Sequence, residues 1–310
     1  MSRLLRRFAI VGTAVAVTAA GFAGAGAATA AAGARTVPIQ LLGINDLHGN
    51  LEPPTGSSGR VIDETGATVD AGGAAYLAAH LKRLRAANSI RVAAGDSIGA
   101  TPLLSAAYHD EPTIELLNHV GLNTSSVGNH EFDEGYTELQ RIQQGGCHPV
   151  DGCAPGMEYD GADFPFLAAN VIRESDDRTA FPASVVKHVG GARIGFIGVV
   201  TKTTPSIVTA DGVKGLKFLD EVESADKAAR DLRKRGVKAI VLVVHEGDQV
   251  TAGATPDSCQ VVAGGPGTRI AGQVTPDVDV VMTGHSHQPY NCTMKDPAGN
   301  SRVVMQGGSF

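Results

Sequence analysis

The chain has 310 residues, of which 43% are apolar and 19% charged, and this composition is typical of a globular protein with a sizeable core. Its formal net charge is −6, so the surface has no basic field that would attract a nucleic-acid polymer or an anionic membrane. Any attraction for an anionic ligand must therefore come from a local site.

The first 32 residues have the organisation of a secretory signal. A basic segment, an apolar run and a small-residue cleavage site follow one another: Arg3, Arg6 and Arg7, then 8–23, then Ala28-Thr29-Ala30. A transmembrane anchor is the alternative, but alanine, glycine and threonine dilute the apolar run. We therefore expect export to the periplasm, the cell surface or the medium, with residues 35–310 forming the folded domain and no membrane span after signal cleavage.

The chain has four cysteines, an even count that indicates disulfides in an exported protein. Three connectivities are possible, and we expect the pairing of near neighbours, Cys147 with Cys153 and Cys259 with Cys292. No C-x-x-C spacing supports a metal site at these cysteines.

Apolar runs of strand length alternate with segments of helical periodicity along the chain. The runs predict strands at 37–44, 90–94, 123–127, 166–170, 184–189, 193–200, 237–244, 278–283 and 302–305. Helices are predicted at 73–87, 112–120, 134–144 and 223–235, and irregular loops at 52–71 and 147–163. This alternation predicts an α/β fold.

Five of the predicted strands run directly into aspartate, asparagine or histidine: Asp46 and His48, Asp96, Asn129 and His130, His245, and His285 and His287. Each position alone has an ordinary structural explanation, such as a helix cap at Asp96 or a hydrogen-bonded core histidine at His245. Open α/β proteins bind ligands at the carboxyl ends of their strands, so together these residues predict one site. Their mixed oxygen and nitrogen donors suit Zn, Mn, Fe, Co or similar divalent ions.

Other polar residues have simpler predicted roles. His80 lies on the polar face of a predicted helix, and His109 and His119 have no partners nearby in the sequence, which predicts structural or exposed positions. Asp133 is placed to cap the helix predicted at 134–144, and also to orient His130 three residues before it.

Five segments, in this order, resemble the motif series of the calcineurin-like metallophosphoesterases: N-D-L-H-G (45–49), G-D-S (95–97), G-N-H-E-F-D (128–133), H-E-G (245–247) and G-H-S-H (284–287). The form of the third segment, together with the export signal, resembles the 5′-nucleotidase branch. The resemblance implies a β-sandwich flanked by helices, in four α/β/β/α layers. It also implies that exported relatives carry a C-terminal domain for the nucleoside, which we expect to lie beyond Phe310.

The resemblance also implies residue roles. One divalent metal would be bound by Asp46, His48 and His287, a second by Asn129, His245 and His285, with Asp96 bridging the two. His130 would be the catalytic histidine, oriented by Asp133, and Asn129 and His130 would contact the substrate phosphate.

The activity implied by the resemblance is hydrolysis of small nucleotide phosphate esters by attack of a metal-bound hydroxide. A 2′,3′-cyclic phosphodiesterase, a UDP-sugar hydrolase or a thiosulfate-ester hydrolase would share every motif, so the sequence does not separate these activities. An exported binding module with an inactive site is the alternative outside enzymes, and it is disfavoured because all seven metal positions are intact.

Overall fold

Two β-sheets packed face to face form the centre of the protein. In this computed structural model, residues 36–62, 65, 67–153 and 158–310 are described, so the predicted signal lies outside the described residues. The smaller sheet is wholly parallel and contains, from edge to edge, β1 (Gln40–Ile44), β4 (Ser89–Ala94), β5 (Thr124–Ser126) and β6 (Phe166–Leu167).

The larger sheet has six strands and mixed polarity. Its order is β13 (Tyr290–Lys295), β14 (Ser301–Gln306), β12 (Val280–Thr283), β11 (Ala239–His245), β9 (Ala192–Val200) and β8 (Ser184–Val189). The four central strands are parallel, and β13 and β8 are antiparallel edge strands. The carboxyl ends of the parallel strands therefore lie together at one edge of the sheet.

Six helices and two short antiparallel pairs complete the described part of the fold. The helices are α1 (Ala74–Leu84), α2 (Leu103–Ala106), α3 (Glu111–His119), α4 (Tyr136–Gln144), α5 (Glu221–Lys234) and α6 (Pro266–Gln273). The pairs are β2 (Arg60–Ile62) with β3 (Thr68–Asp70), and β7 (Val171–Arg173) with β10 (Leu216–Phe218).

Alternation of side chains along the central strands produces the layers. In β11, Val241 and Val243 point between the two sheets, whereas Ile240, Leu242 and Val244 face the helices of the outer layer. Helices α5 and α6 cover the larger sheet through buried residues such as Ala225, Ala229, Leu232 and Ile270. Helices α3 and α4 cover the smaller sheet through Ile114, Leu117, Leu139 and Ile142. The expected α/β/β/α order is thus observed.

The two expected disulfides are present, Cys147–Cys153 and Cys259–Cys292. The second joins β13 to the loop that precedes α6. Among the described residues, no helix has both the length and the apolar character needed to cross a bilayer.

Several sequence predictions were wrong in detail. The region 52–71, expected to be a loop, contains the exposed hairpin of β2 and β3, whose few apolar residues give no buried-strand pattern. The run 166–170 is divided, because β6 ends at Leu167 and the chain then enters β7 in a separate small sheet. Elements α2, α6, β10 and β13 were not predicted, since each is short or half-polar.

Candidate metal centre

The polar strand ends converge on one edge of the sandwich. Strands β1, β4 and β5 of the smaller sheet and β11 and β12 of the larger sheet all deliver their carboxyl ends there. At this edge, two groups of three residues have donor atoms within 4.8 Å of one another: Asp46 with His48 and His287, and Asp96 with His245 and His285. Residues from distant parts of the sequence therefore form one site.

In the first group, the nitrogen and oxygen atoms surround a common point. The Nε2 atoms of His48 and His287 are 3.3 Å apart, and His287 Nε2 is 3.4 Å from Asp46 Oδ1. A tetrahedral ion with bonds near 2.0–2.1 Å has ligand atoms ~3.3 Å from one another. The spacing therefore fits a small divalent cation. His48 Nδ1 donates to the carbonyl oxygen of Gly99 at 2.8 Å, which leaves Nε2 free to act as the ligand.

In the second group, the oxygen acceptors beside His245 need a compensating positive charge. His245 Nδ1 lies 2.7 Å from the carbonyl oxygen of Ala94 and donates its proton there. His245 Nε2 then faces two oxygen acceptors, Asp96 Oδ2 at 2.9 Å and Asn129 Oδ1 at 3.1 Å. A neutral imidazole would present a lone pair to both oxygens, so this position requires a proton or a metal ion.

Burial and neighbouring charges shift the pKa values of both histidines in this group. Burial alone would lower the pKa of His245, but the charge and hydrogen bond of Asp96, together with the charges of Asp46 and Glu131, raise this pKa to about 10. Burial, together with the neighbouring charge of His245, lowers the pKa of His285 to about 4. His285 is therefore a neutral imidazole with a lone pair available for a cation.

Asp96 lies between the two groups. Its Oδ2 atom is 2.9 Å from His245 Nε2 of the second group and 3.6 Å from His48 Nε2 of the first. Its side chain is fully buried, and burial would raise its pKa, yet the histidines hold that pKa well below its usual range. A buried carboxylate kept ionised between two sets of nitrogen donors is placed to bridge two cations.

His130 stands beside this centre rather than within either group. Its Nδ1 atom is 2.8 Å from Asp133 Oδ2, and its backbone N–H donates to Asp96 Oδ1 at 2.9 Å. The hydrogen bond to Asp133 raises the pKa of His130. Both side chains are about one-third exposed.

One of the two sequence interpretations of Asp133 was wrong. Asp133 does not cap α4, whose N-cap is Gly135 without a side-chain hydrogen bond. Its carboxylate instead accepts from His130 and from the backbone N–H of Ala100 at 3.1 Å. The orienting contact is present, because a short 3₁₀ helix (His130–Phe132) places both side chains on the same side.

Sequence reasoning missed Glu131, although it lies inside the G-N-H-E-F-D segment. Its carboxylate is buried and accepts backbone N–H groups of Asp96 at 2.9 Å, Ser97 at 2.8 Å and Gly128. Burial raises the pKa of Glu131 to about 7, with a further contribution from Asp96. Glu131 thus fixes the two turns that carry Asp96 and Asn129. The sequence signal was the position of Glu131, a carboxylate between His130 and Asp133, which were already assigned to the site.

Comparison with known proteins identifies similar sequences and structures. A sequence model of the family described as calcineurin-like phosphoesterase matches residues 39–289. Endonuclease YhcR of Bacillus subtilis is 37% identical over 88% of this chain and 21% of its own length. Cell wall protein Lmo0130 of Listeria monocytogenes is 37% identical over 89% of this chain and 36% of its own length.

A solved structure, the 5′-nucleotidase precursor from Thermus thermophilus, superposes with a TM-score of 0.66. It is 27% identical and covers 86% of this chain and 48% of its own. The chain therefore spans about half, or less, of the length of these proteins.

Replacement of Glu131 by glutamine should destabilise the protein, because only one of the two carboxylate oxygens that accept the three backbone N–H groups is kept. In the variant, the glutamine amide nitrogen would face a backbone N–H that donates to a carboxylate oxygen in the parent protein. The expected loss is about 2–3 kcal/mol in the free energy of unfolding. Denaturant titration of the variant measures this loss. Glu158→Gln, at an exposed position, is the matched control and should change stability by less than about 0.5 kcal/mol. Equal stability of the two variants would contradict the role of Glu131.

Proposed function

This chain belongs to the calcineurin-like phosphoesterase family, and on that premise we propose that it is an exported, metal-dependent hydrolase of small nucleotide phosphate esters. The observation that carries the proposal is the position of Asp96, buried between two groups that each have donors for a divalent cation. A matching structure named a 5′-nucleotidase supports the nucleotide as substrate.

We propose two divalent ions at this centre. Asp46, His48 and His287 would hold one, Asn129, His245 and His285 the other, and Asp96 would contact both. The donors are nitrogen and oxygen without thiolate, which fits Zn, Mn, Fe or Co. Ions of this kind, when bound, supply Lewis acidity and make a coordinated water more acidic.

The buried residues of the site determine its net charge. Among the seven proposed ligands only Asp46 and Asp96 carry negative charge, so two divalent ions would leave the site positive. That local charge would attract a phosphate group to a protein whose overall charge is −6. Asn129 and His130, which follow β5 at the same edge, are placed to contact the bound phosphate.

His130 is the proposed catalytic residue. Asp133 accepts the hydrogen bond from Nδ1, orients the ring and favours its protonated form, so that Nε2 can donate to the phosphoryl or leaving-group oxygen. No other histidine outside the two metal groups approaches the centre among the described contacts; the His48 and His130 ring centroids are 5.1 Å apart.

We also propose that residues 35–310 form a catalytic domain preceded by a secretory signal at 1–32. Two disulfides support an oxidising compartment, and the similarity to a cell wall protein supports a location outside the cytoplasm.

The direct test of the activity is release of inorganic phosphate from a panel containing a nucleoside monophosphate, a 2′,3′-cyclic nucleotide and a UDP-sugar. We expect phosphate from the monophosphate, loss of that activity with a chelator and recovery on adding Zn²⁺ or Mn²⁺. A second phosphatase is added so that products of the other two substrates are also detected. Single-stranded DNA is included because one relative is named an endonuclease. Hydrolysis of DNA alone, or chelator-resistant release, would contradict the proposal.

His130→Ala should retain its metal content and lose ~10²-fold or more in kcat, the usual scale for a general acid–base group. The measurements are metal analysis of the purified variant and steady-state kinetics on its best substrate. His188→Ala, at an exposed position on β8, is the matched control and should keep the parent kcat. A His130→Ala enzyme with near-normal kcat would remove His130 from the reaction.

A further inference from the structure

A separate group of metal-ligating side chains lies outside the centre described above. One donor atom from each of His109, Glu134, Glu138 and His148 lies within 4.8 Å of the others. His109 has no partners nearby in the sequence, as expected, but it contacts carboxylates from segments 25 and 42 residues away. His119 and His80 are exposed, in agreement with their predicted positions.

Three separate segments bring these side chains together. His109 lies between α2 and α3 in the left-handed region, with φ of 49°. Glu134 lies two residues before α4 and Glu138 in its first turn, and their carboxylates come within 4.8 Å of each other. His148 lies in the short loop closed by the Cys147–Cys153 disulfide, which limits how far it can move away.

In and around this group, several carboxylate oxygens have no lysine or arginine partner among the described contacts. His109 Nδ1 is 3.2 Å from Glu134 Oε2, and His109 Nε2 is 2.9 Å from Asp151 Oδ2. His148 Nδ1 accepts from the backbone N–H of Asp151 at 3.2 Å and lies 3.4 Å from Asp151 Oδ2. Asp151 thus adds a third carboxylate beside the two imidazoles.

Only one cation contacts these carboxylates among the described residues. Arg141 binds Glu138 at 2.6 Å, but it also binds Glu111 at 2.6 Å, so its single charge is shared. Glu134 and Asp151 have no basic partner in the described contacts other than His109 and His148, which carry charge only when protonated. Both ring nitrogens of His109 face carboxylates, and such a position is satisfied either by a proton on each nitrogen or by a bound divalent cation.

We propose that His109, Glu134, Glu138 and His148 bind one divalent transition-metal ion, separate from the centre around Asp96. Two imidazoles and two carboxylates form a donor set that suits Zn²⁺ and related ions rather than Ca²⁺. The rings of His109 and His148 are stacked, with centroids 3.7 Å apart and planes 11° apart. Their lone pairs lie in these parallel planes, so binding requires one ring to rotate out of the stack.

An ion bound by this group would connect two segments of the chain. His109, Glu134 and Glu138 line a cavity of about 200 Å³, and His130 and Asp133 line the same cavity. An ion held by His148 and Glu134 would therefore fasten the disulfide loop to the residue that follows Asp133. It would stabilise the segment that orients His130 without taking part in the chemistry.

The test counts Zn²⁺ per chain after chelator treatment and equilibrium dialysis against buffered free Zn²⁺, using elemental analysis. The full chain is compared with His109→Ala, His148→Ala and Glu134→Gln. Each variant should hold one Zn²⁺ fewer than the parent, and the Zn²⁺-dependent rise in melting temperature should be smaller. His80→Ala, an exposed histidine on α1, should retain the parent count.

The difference between parent and variant is the readout, so the result does not depend on how many ions the main centre holds or on any activity. Equal counts in the parent and all three variants would overturn the proposal and leave a hydrogen-bonded cluster. Loss of an ion from His80→Ala would overturn it as well, since it would indicate unspecific binding. Glu134→Gln changes an exposed carboxylate and decides the question if a histidine variant does not fold.

Discussion

The structure depends on a buried carboxylate placed where two sheets meet. Asp96 is removed from water at the carboxyl end of β4, and such a charge is tolerated only when positive charge is close by. His245 comes from the other sheet and links to β4 through the hydrogen bond from Nδ1 to the carbonyl oxygen of Ala94. The need to compensate Asp96 therefore connects the packing of the sandwich to the chemistry of its edge.

The backbone at this edge is strained, and the packing of the surrounding core offsets the cost of that strain. Five of the seven proposed ligands have left-handed φ between 44° and 71°: Asp46, His48, Asp96, His285 and His287. Such conformations cost about 1–3 kcal/mol each. Fully buried aliphatic residues in the adjoining strands, such as Val92 and Val243, contribute about 1.5–3 kcal/mol each and offset this cost. Gly128 is required because a Cβ there would lie 2.2 Å from Asp96 Oδ1.

The sequence predicted the central strands and the polar strand ends that converge at this edge, because both leave strong local signals. Continuous apolar runs identified β4, β9 and β11, and the polar residues that follow buried strands indicated the site. The hairpin of β2 and β3 left no such signal, because its strands are short and exposed. The partners of His109 and the three N–H donors of Glu131 were also beyond prediction, since they come from loops whose meeting depends on tertiary packing. Local patterns reveal which residues a strand delivers, but not which other segments they meet.

We propose that two cations share Asp96 at the junction of the sheets. Anomalous diffraction from crystals of the purified protein, recorded at the absorption edge of the metal it contains, tests this most directly. We expect two peaks ~3.5–4 Å apart. One peak should lie beside Asp46, His48 and His287, and the other beside Asn129, His245 and His285. The Asp96 carboxylate should contact both ions. A single peak, or a pair with Asp96 bound to neither ion, would contradict the proposal.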